Sequence, residues 1–473
     1  MEVGVSDKIK GLRKQVKGRV LLAGEPGYDE ARRIWNAMID RRPAVIAQCA
    51  DAGDVPHAIR FAREQGLEIS IRGGGHNIAG SSLCDDGVTI DLSAMKKVQV
   101  DAKARRAYVE PGATLHDFDQ AVQAHGLATP LGINSTTGVA GLALGGGFGW
   151  LTRQLGLTID NLVSADLITA DQQKVLASEQ SNQDLFWAVR GGGGNFGVVT
   201  QFEFKLHPVG PQIVAGLIVY PFAQAKSVLQ QYREFAKSAP LDLTVWVLLR
   251  KAPPLPFLPA GVHGREVAIL AVFYSGGIAQ GTDLMRPLLR FGDALGEHIG
   301  PQPYVQWQQA FDPLLTPGAR NYWKSHNFIE LADGAFDTMI EYAGKMPSPQ
   351  CEIFVGHLEG VANDIPASTT AYGGRSARFV MNVHGRWDDA SQDEECVAWS
   401  RAFFKAAAPY ASAGAYVNFM TEEESERVAA AYGPNYGRLV EIKRRYDPEN
   451  VFHLNQNIKP GEMAAASREK RRA

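Results

Sequence analysis

The sequence predicts an α+β protein, with a glycine-rich N-terminal part followed by an antiparallel sheet backed by helices. Up to about Pro208, short alternating strands run into three glycine clusters. Beyond it the texture changes to longer alternating segments, Ala215–Tyr220, Val267–Tyr274, Cys351–Val355 and Phe379–Val383, separated by stretches with helical spacing. The chain has 473 residues, 45% of them hydrophobic and 21% charged, enough to bury a large core in more than one structural unit.

Each element has a local reason. In Asp54–Gly66 (DVPHAIRFAREQG), Asp54 can cap a helix, Pro56 fits its first turn and Gly66 stops it. A strand follows, with Leu67, Ile69 and Ile71 alternating with polar residues, and it breaks into Arg72-Gly73-Gly74-Gly75-His76-Asn77. Val88, Ile90 and Leu92 form a second alternating run, and Val98–Val100 and Ala107–Val109 bracket the turn DAKARR as a hairpin. A helix from about Thr114 ends at Gly126, before two further glycine clusters at Gly138–Gly147 and Arg190–Gly197. Near the end, Asn435–Tyr446 has helical spacing and stops at Asp447-Pro448, and Val451–Ile458 reads as extended.

Bulk properties narrow the function. A formal net charge of -3 gives no basic field for nucleic acid, and the basic run Arg468–Arg472 reads as a solvated tail. Four cysteines without a CxxC pair fit neither a disulfide framework nor a zinc site, so no metal and a reducing cytoplasm are expected. The first residues lack the apolar core of a signal peptide, and no later run is long enough to span a membrane.

Consecutive glycines let main-chain N–H groups converge on an anion such as a pyrophosphate, although glycine turns also arise for structural reasons alone. There is no GxxxxGK[ST], and the first cluster is not a GxGxxG opening a helix, which disfavours a nucleoside triphosphate site and a Rossmann site. Three separate clusters, one carrying a histidine, suit a long cofactor such as FAD extended across several loops. The chain resembles the berberine-bridge-enzyme-like branch of the FAD-linked oxidases with a vanillyl-alcohol-oxidase-type (PCMH-type) flavin domain. The resemblance rests on Arg72–Gly80 (RGGGHNIAG), Thr136–Gly147 (TTGVAGLALGGG), Asp184–Gly194 (DLFWAVRGGGG) and the segment from Asn435 to Ile458.

That resemblance implies a two-part FAD-binding domain of residues 1–210, with a core at about 39–209, and 421–473. A substrate domain at 211–420, the antiparallel sheet backed by helices, is inserted between them. It implies a covalent bond from His76 to the flavin. It places Arg72, Gly73, Gly74, Gly75, Asn77, Gly80, Ser81 and Ser82 near the pyrophosphate, Thr137, Gly138, Val139, Gly141, Gly145, Val198 and Val199 along the flavin or adenine, and Tyr416 and Asn455 at the flavin ring. Many relatives add a second link through a cysteine, but Asn134 stands at that position, so a single link through His76 is expected. Where relatives carry a catalytic tyrosine in Tyr-x-Asn-Tyr, this chain has Tyr416-Val-Asn-Phe419, and Phe419 cannot accept a proton.

The implied reaction is hydride transfer from a small organic substrate to flavin N5, with a base for the accompanying proton. By strand alternation Asn382, His384 and Arg386 share one face, opposite Phe379, Met381 and Val383, so the polar face would roof the flavin. His384 and Tyr322 are the candidate catalytic residues, and His326, His357 and Tyr372 are further titratable groups in the region. In the resembling family the residue matching Thr137 gates oxygen, and its modest size implies reoxidation by O2, hence an oxidase. The alternatives are a dehydrogenase with another acceptor and a flavin-holding protein that has lost redox activity.

Overall fold

A computed structural model describes residues 3–412 and 414–461; the basic run Arg468–Arg472 lies outside them. The N-terminal part holds two sheets. The first orders its strands Arg19–Leu21, Val45–Gln48, Val88–Asp91, Ile69–Arg72, with the last three mutually parallel. The second orders Val98–Asp101, Arg106–Val109, Val198–Lys205, Leu162–Ile168, Lys174–Ser178, all antiparallel. The hairpin around DAKARR forms as expected.

Two local readings change. Asp54 is the first residue of its helix rather than its cap, and its carboxylate accepts instead from the backbone N–H groups of Lys17, Gly18 and Ala50, tying three segments together. The strand Val88–Asp91 is buried on both faces, with Val88 and Ile90 in one core with Val55 and Ile59 of the helix Asp54–Gln65 and Thr89 bonded to Ser70 at 2.8 Å on the opposite face, so its alternation does not separate core from solvent.

The rest of the chain builds a seven-stranded antiparallel sheet, in the order Gly296–Pro303, Gln212–Pro221, Glu266–Tyr274, Leu243–Lys251, Glu352–His357, Phe379–Trp387, Arg320–Phe328. The helices Ala225–Ala236, Asp333–Ala343 and Asp393–Ala407 cover one face, burying Phe379, Met381 and Val383 among them. The other face presents Trp246, Leu248 and Phe354 to Phe148, Trp150 and Tyr416. The sheet is thus a lid between its own helices and the glycine-rich part.

The C-terminal segment is stapled back onto the third glycine cluster. Lys443, fully buried on the helix Tyr436–Tyr446, donates to Asp447 Oδ2 at 2.6 Å and to the carbonyls of Asn195 and Phe452 at 2.8 and 2.9 Å. Burial lowers its pKa, and Asp447 opposes that shift. Asp447 also accepts from the N–H groups of Val451 and Phe452, which fixes the non-helical run carrying Asn455. Lys443→Met should therefore leave a buried carboxylate uncompensated and cost about 3–5 kcal/mol, read as a lowered midpoint in denaturant unfolding. A change under 1 kcal/mol would show that the staple does not hold the tail.

Among the described residues no helix is long and apolar enough to cross a membrane. The four cysteines are buried, and none forms a disulfide.

Candidate active site

A cavity of about 350 Å3 lies between the glycine loops and the sheet, and all three glycine clusters reach it. Gly73, Gly74, Gly75, His76, Asn77 and Ser81 line it from the first cluster, Thr137, Gly138, Gly141 and Gly145 from the second, and Val198 and Val199 from the strand after the third. Tyr416 and Asn455 approach from the C-terminal side. The loops interlock through glycine: a Cβ on Gly74 would sit 2.4 Å from the backbone nitrogen of Gly138, so neither position takes a side chain without displacing backbone.

Three expected cofactor positions do not line the cavity. Arg72 turns its guanidinium to the carbonyl of Ala31, Gly80 packs on Ile39, and Val139 is buried in the core beneath its own short helix. They support the loops from behind, since side chains on a tight turn or helix cannot all face one way.

His76 is held on several sides. Its Nε2 lies 2.8 Å from Thr136 Oγ1, its Nδ1 3.4 Å from Thr137 Oγ1, and its ring stacks on Trp35 at 5.0 Å between centroids. Burial pushes its pKa down to about 3, so the imidazole is neutral at pH 7. Tyr416 accepts hydrogen bonds from Gly147 N–H at 3.1 Å and Asn418 Nδ2 at 3.0 Å, and burial raises its pKa.

The sheet side carries a polar row set by strand register. Arg250, Glu352, His384 and Trp323 stand directly opposite one another on four adjacent strands, and all border the cavity. Arg250 Nη1 donates to Glu352 Oε2 at 2.6 Å, and Glu352 Oε1 lies 3.2 Å from His384 Nδ1. Despite its burial, Glu352 is held down to about 2 by Arg250 and His384. The other nitrogen of His384, Nε2, faces Asn321 Oδ1 at 3.2 Å. Burial lowers the pKa of His384, and Glu352 resists that shift. Asn382 borders the cavity beside this row, as the alternation predicted, whereas Arg386 lies behind it, donating to the carbonyl of Thr316.

Tyr322 is not at the site. On its strand Trp323 takes the cavity face, so Tyr322 points to the helical side, where its hydroxyl meets Glu423 and Arg401. His326 is likewise on the far side, stacked on Phe404, and His357 stacks on Phe379 away from the cavity. Tyr372 packs beside Tyr416 without reaching the cavity lining. Sequence reading missed Trp35, Arg250, Glu352 and Tyr432. Only the odd charge within a β-branched and aromatic run, as at Arg250 and Glu352, could have hinted at them.

Residues 43–175 match the FAD binding domain family, and residues 415–459 match the family described as berberine and berberine like. The chain is 31% identical to an FAD-linked oxidoreductase of Dictyostelium discoideum, over 97% of this chain and 98% of that one. It is also 31% identical to (R)-6-hydroxynicotine oxidase of Paenarthrobacter nicotinovorans, over 94% and 97%. Among solved structures, 6-hydroxy-D-nicotine oxidase from Arthrobacter nicotinovorans superposes with a TM-score of 0.83 at 28% identity, covering 94% of this chain and 98% of that one. Glucooligosaccharide oxidase from Acremonium strictum, described with a 6-S-cysteinyl, 8α-N1-histidyl FAD, shares the fold with a TM-score of 0.85 at 21% identity, covering 96% and 100%.

Proposed function

Because the chain belongs to the berberine-bridge-enzyme-like FAD-linked oxidoreductases, we propose that it is an oxidase of a small organic substrate, an alcohol, phenol, amine or natural-product intermediate, with FAD bonded once, through His76, and reoxidised by O2. The flavin domain is drawn from residues 1–210 and 421–473, and the substrate domain from 211–420. The observation that carries this reading is the shared cavity, which joins all three glycine clusters to the row Arg250, Glu352, His384.

The residues fit the cofactor. A Cβ on Gly141 or Gly194 would meet nothing within 4 Å, so a side chain at either place would fill the cavity that glycine leaves open. Ser82 Oγ, Tyr432 OH and Asn455 Oδ1 are buried beside it without hydrogen-bond partners, as polar groups awaiting a polar ligand would be. Bound there, FAD would supply a two-electron acceptor for hydride. His76, which lines the cavity, would hold it through a single covalent bond.

His384 is the proton acceptor in this reading. Asn321 Nδ2 donates to the carbonyl of Ala319 at 2.8 Å, which turns Asn321 Oδ1 toward His384. With its Nδ1–H donating to the Glu352 carboxylate, neutral His384 turns a bare Nε2 toward that oxygen, and an arriving proton converts the contact into a hydrogen bond. Glu352 orients the ring and offsets its charge, as the acid does in other carboxylate–histidine pairs. Rate should then rise with pH through the His384 pKa, which lies below the ordinary 6.5.

Anaerobic bleaching of the purified yellow protein by a panel of alcohols, amines, phenols and sugars tests the activity, and no bleaching by any of them would favour the reading in which redox activity is lost. Acceptor choice is tested at Thr137, which lines the cavity beside His76. Thr137→Leu should slow reoxidation of photoreduced protein at least about tenfold in stopped-flow mixing with aerated buffer, with flavin content unchanged. Wild-type reoxidation taking minutes would instead point to a dehydrogenase.

A further inference from the structure

The loop that carries Asn134 fixes a proton through a chain of hydrogen bonds beginning at a backbone carbonyl. Asn134 Nδ2 donates to the carbonyl of Leu315 at 3.2 Å. Its Oδ1 must then face Thr136, where it accepts from the backbone N–H at 3.1 Å and from Oγ1 at 2.8 Å. The amide orientation is therefore set twice, once by an acceptor that cannot donate and once by an N–H that cannot accept.

A hydroxyl has one proton. Thr136 spends it on Asn134, so toward His76 Nε2, 2.8 Å away, Thr136 Oγ1 can only accept. Nε2 must carry hydrogen. The buried imidazole is neutral and has one N–H, so Nδ1 keeps its lone pair and can only accept, with the Thr137 hydroxyl oxygen 3.4 Å away. Trp35, stacked on the ring, donates from Nε1 to the same Leu315 carbonyl at 2.9 Å, so ring plane and tautomer are keyed to one group of the inserted part.

We propose that Asn134 is a positioning residue that holds His76 as the Nε2–H tautomer and so presents Nδ1 to the cofactor. The proposal rests on the reading of His76 as the attachment site. Where relatives place a cysteine that bonds flavin, this chain has a residue that acts on the histidine instead.

The test compares full-length wild type with Asn134→Leu, which removes the acceptor, Asn134→Asp, which keeps an acceptor oxygen toward Thr136, and Thr136→Val, which breaks the relay one step later. Two quantities are read: the rate at which FAD becomes resistant to acid extraction, and the nitrogen linked in the proteolytic flavin peptide, assigned by NMR. Wild type and Asn134→Asp should link through Nδ1 alone. Asn134→Leu and Thr136→Val should attach at least about tenfold more slowly, the loss of one oriented hydrogen bond, or yield a mixture of Nδ1 and Nε2 isomers.

A wild-type linkage through Nε2 overturns the proposal, as does attachment in both Asn134→Leu and Thr136→Val at the wild-type rate through Nδ1 alone. Should Asn134→Leu not fold, Thr136→Val decides between the outcomes. Wild type that binds FAD without a covalent bond would overturn the attachment reading instead. The histidine 15N shifts of that sample would then judge the tautomer, an Nε2–H ring upholding the role of Asn134 and an Nδ1–H ring refuting it.

Discussion

His76→Ala is expected to abolish covalent flavin altogether: acid precipitation should give a colourless pellet and a yellow supernatant, where wild type gives a yellow pellet. The expectation follows from position. Among the described residues, His76 is the only histidine bordering both the first glycine cluster and the second, and its hydrogen-bond partners within reach are the neutral hydroxyls Thr136 and Thr137. Removing the ring breaks no ion pair and leaves its space continuous with the cavity, so the fold should survive and FAD should still bind in the glycine cradle. An alkyl-nitrogen substituent withdraws electrons from the ring system and raises its potential, so the variant's flavin should be the weaker oxidant, with substrate-driven bleaching slowed by about tenfold or more. Acid-stable colour in His76→Ala would show that another side chain holds the cofactor.

Glu352→Gln should slow anaerobic flavin reduction about a hundredfold, the scale of a disabled proton acceptor. The amide cannot accept from Arg250 and His384 through two oxygens at once, and it carries no charge to offset a proton on His384. The sign of the pH effect is fixed: Glu352 raises the His384 pKa against burial, so without it the acid limb of the pH–rate profile should move to lower pH. An unmoved limb would rule out coupling between the two groups. Glu352→Leu should in addition cost about 3–5 kcal/mol in denaturant unfolding, because it leaves the Arg250 guanidinium buried and unpaired. In wild type the folded pKa of Glu352, about 2, lies below its ordinary 4.5. Its contribution to stability is therefore complete above 4.5 and is lost as pH falls from there through about 2.

The sequence by itself determined the flavin side of this protein. A strand running into Arg72–Asn77 places a histidine on a glycine turn, a hairpin is written in the alternation around DAKARR, and Thr114 caps the helix Leu115–Gln123 with Asp117 closing a reciprocal pair. These are short-range facts, fixed by backbone freedom, periodicity and capping within a few residues. Even the polar face of Asn382 and His384 was legible, since alternation is a property of one strand.

What only the tertiary structure decided was which strands meet and in what register. Arg250, Glu352, His384 and Trp323 become a row because three strand pairings align residues as much as about a hundred positions apart, and nothing local in any one strand encodes its partner. The same pairing sets the parity of Arg320–Phe328, which sends Trp323 to the cavity and Tyr322 to the helices. The proton on His76 was likewise out of reach of sequence, because the chain of acceptors that orders it ends on the carbonyl of Leu315, 181 residues from Asn134. Hydrogen bonds act over about 3 Å, and only folding brings such distant segments within that range.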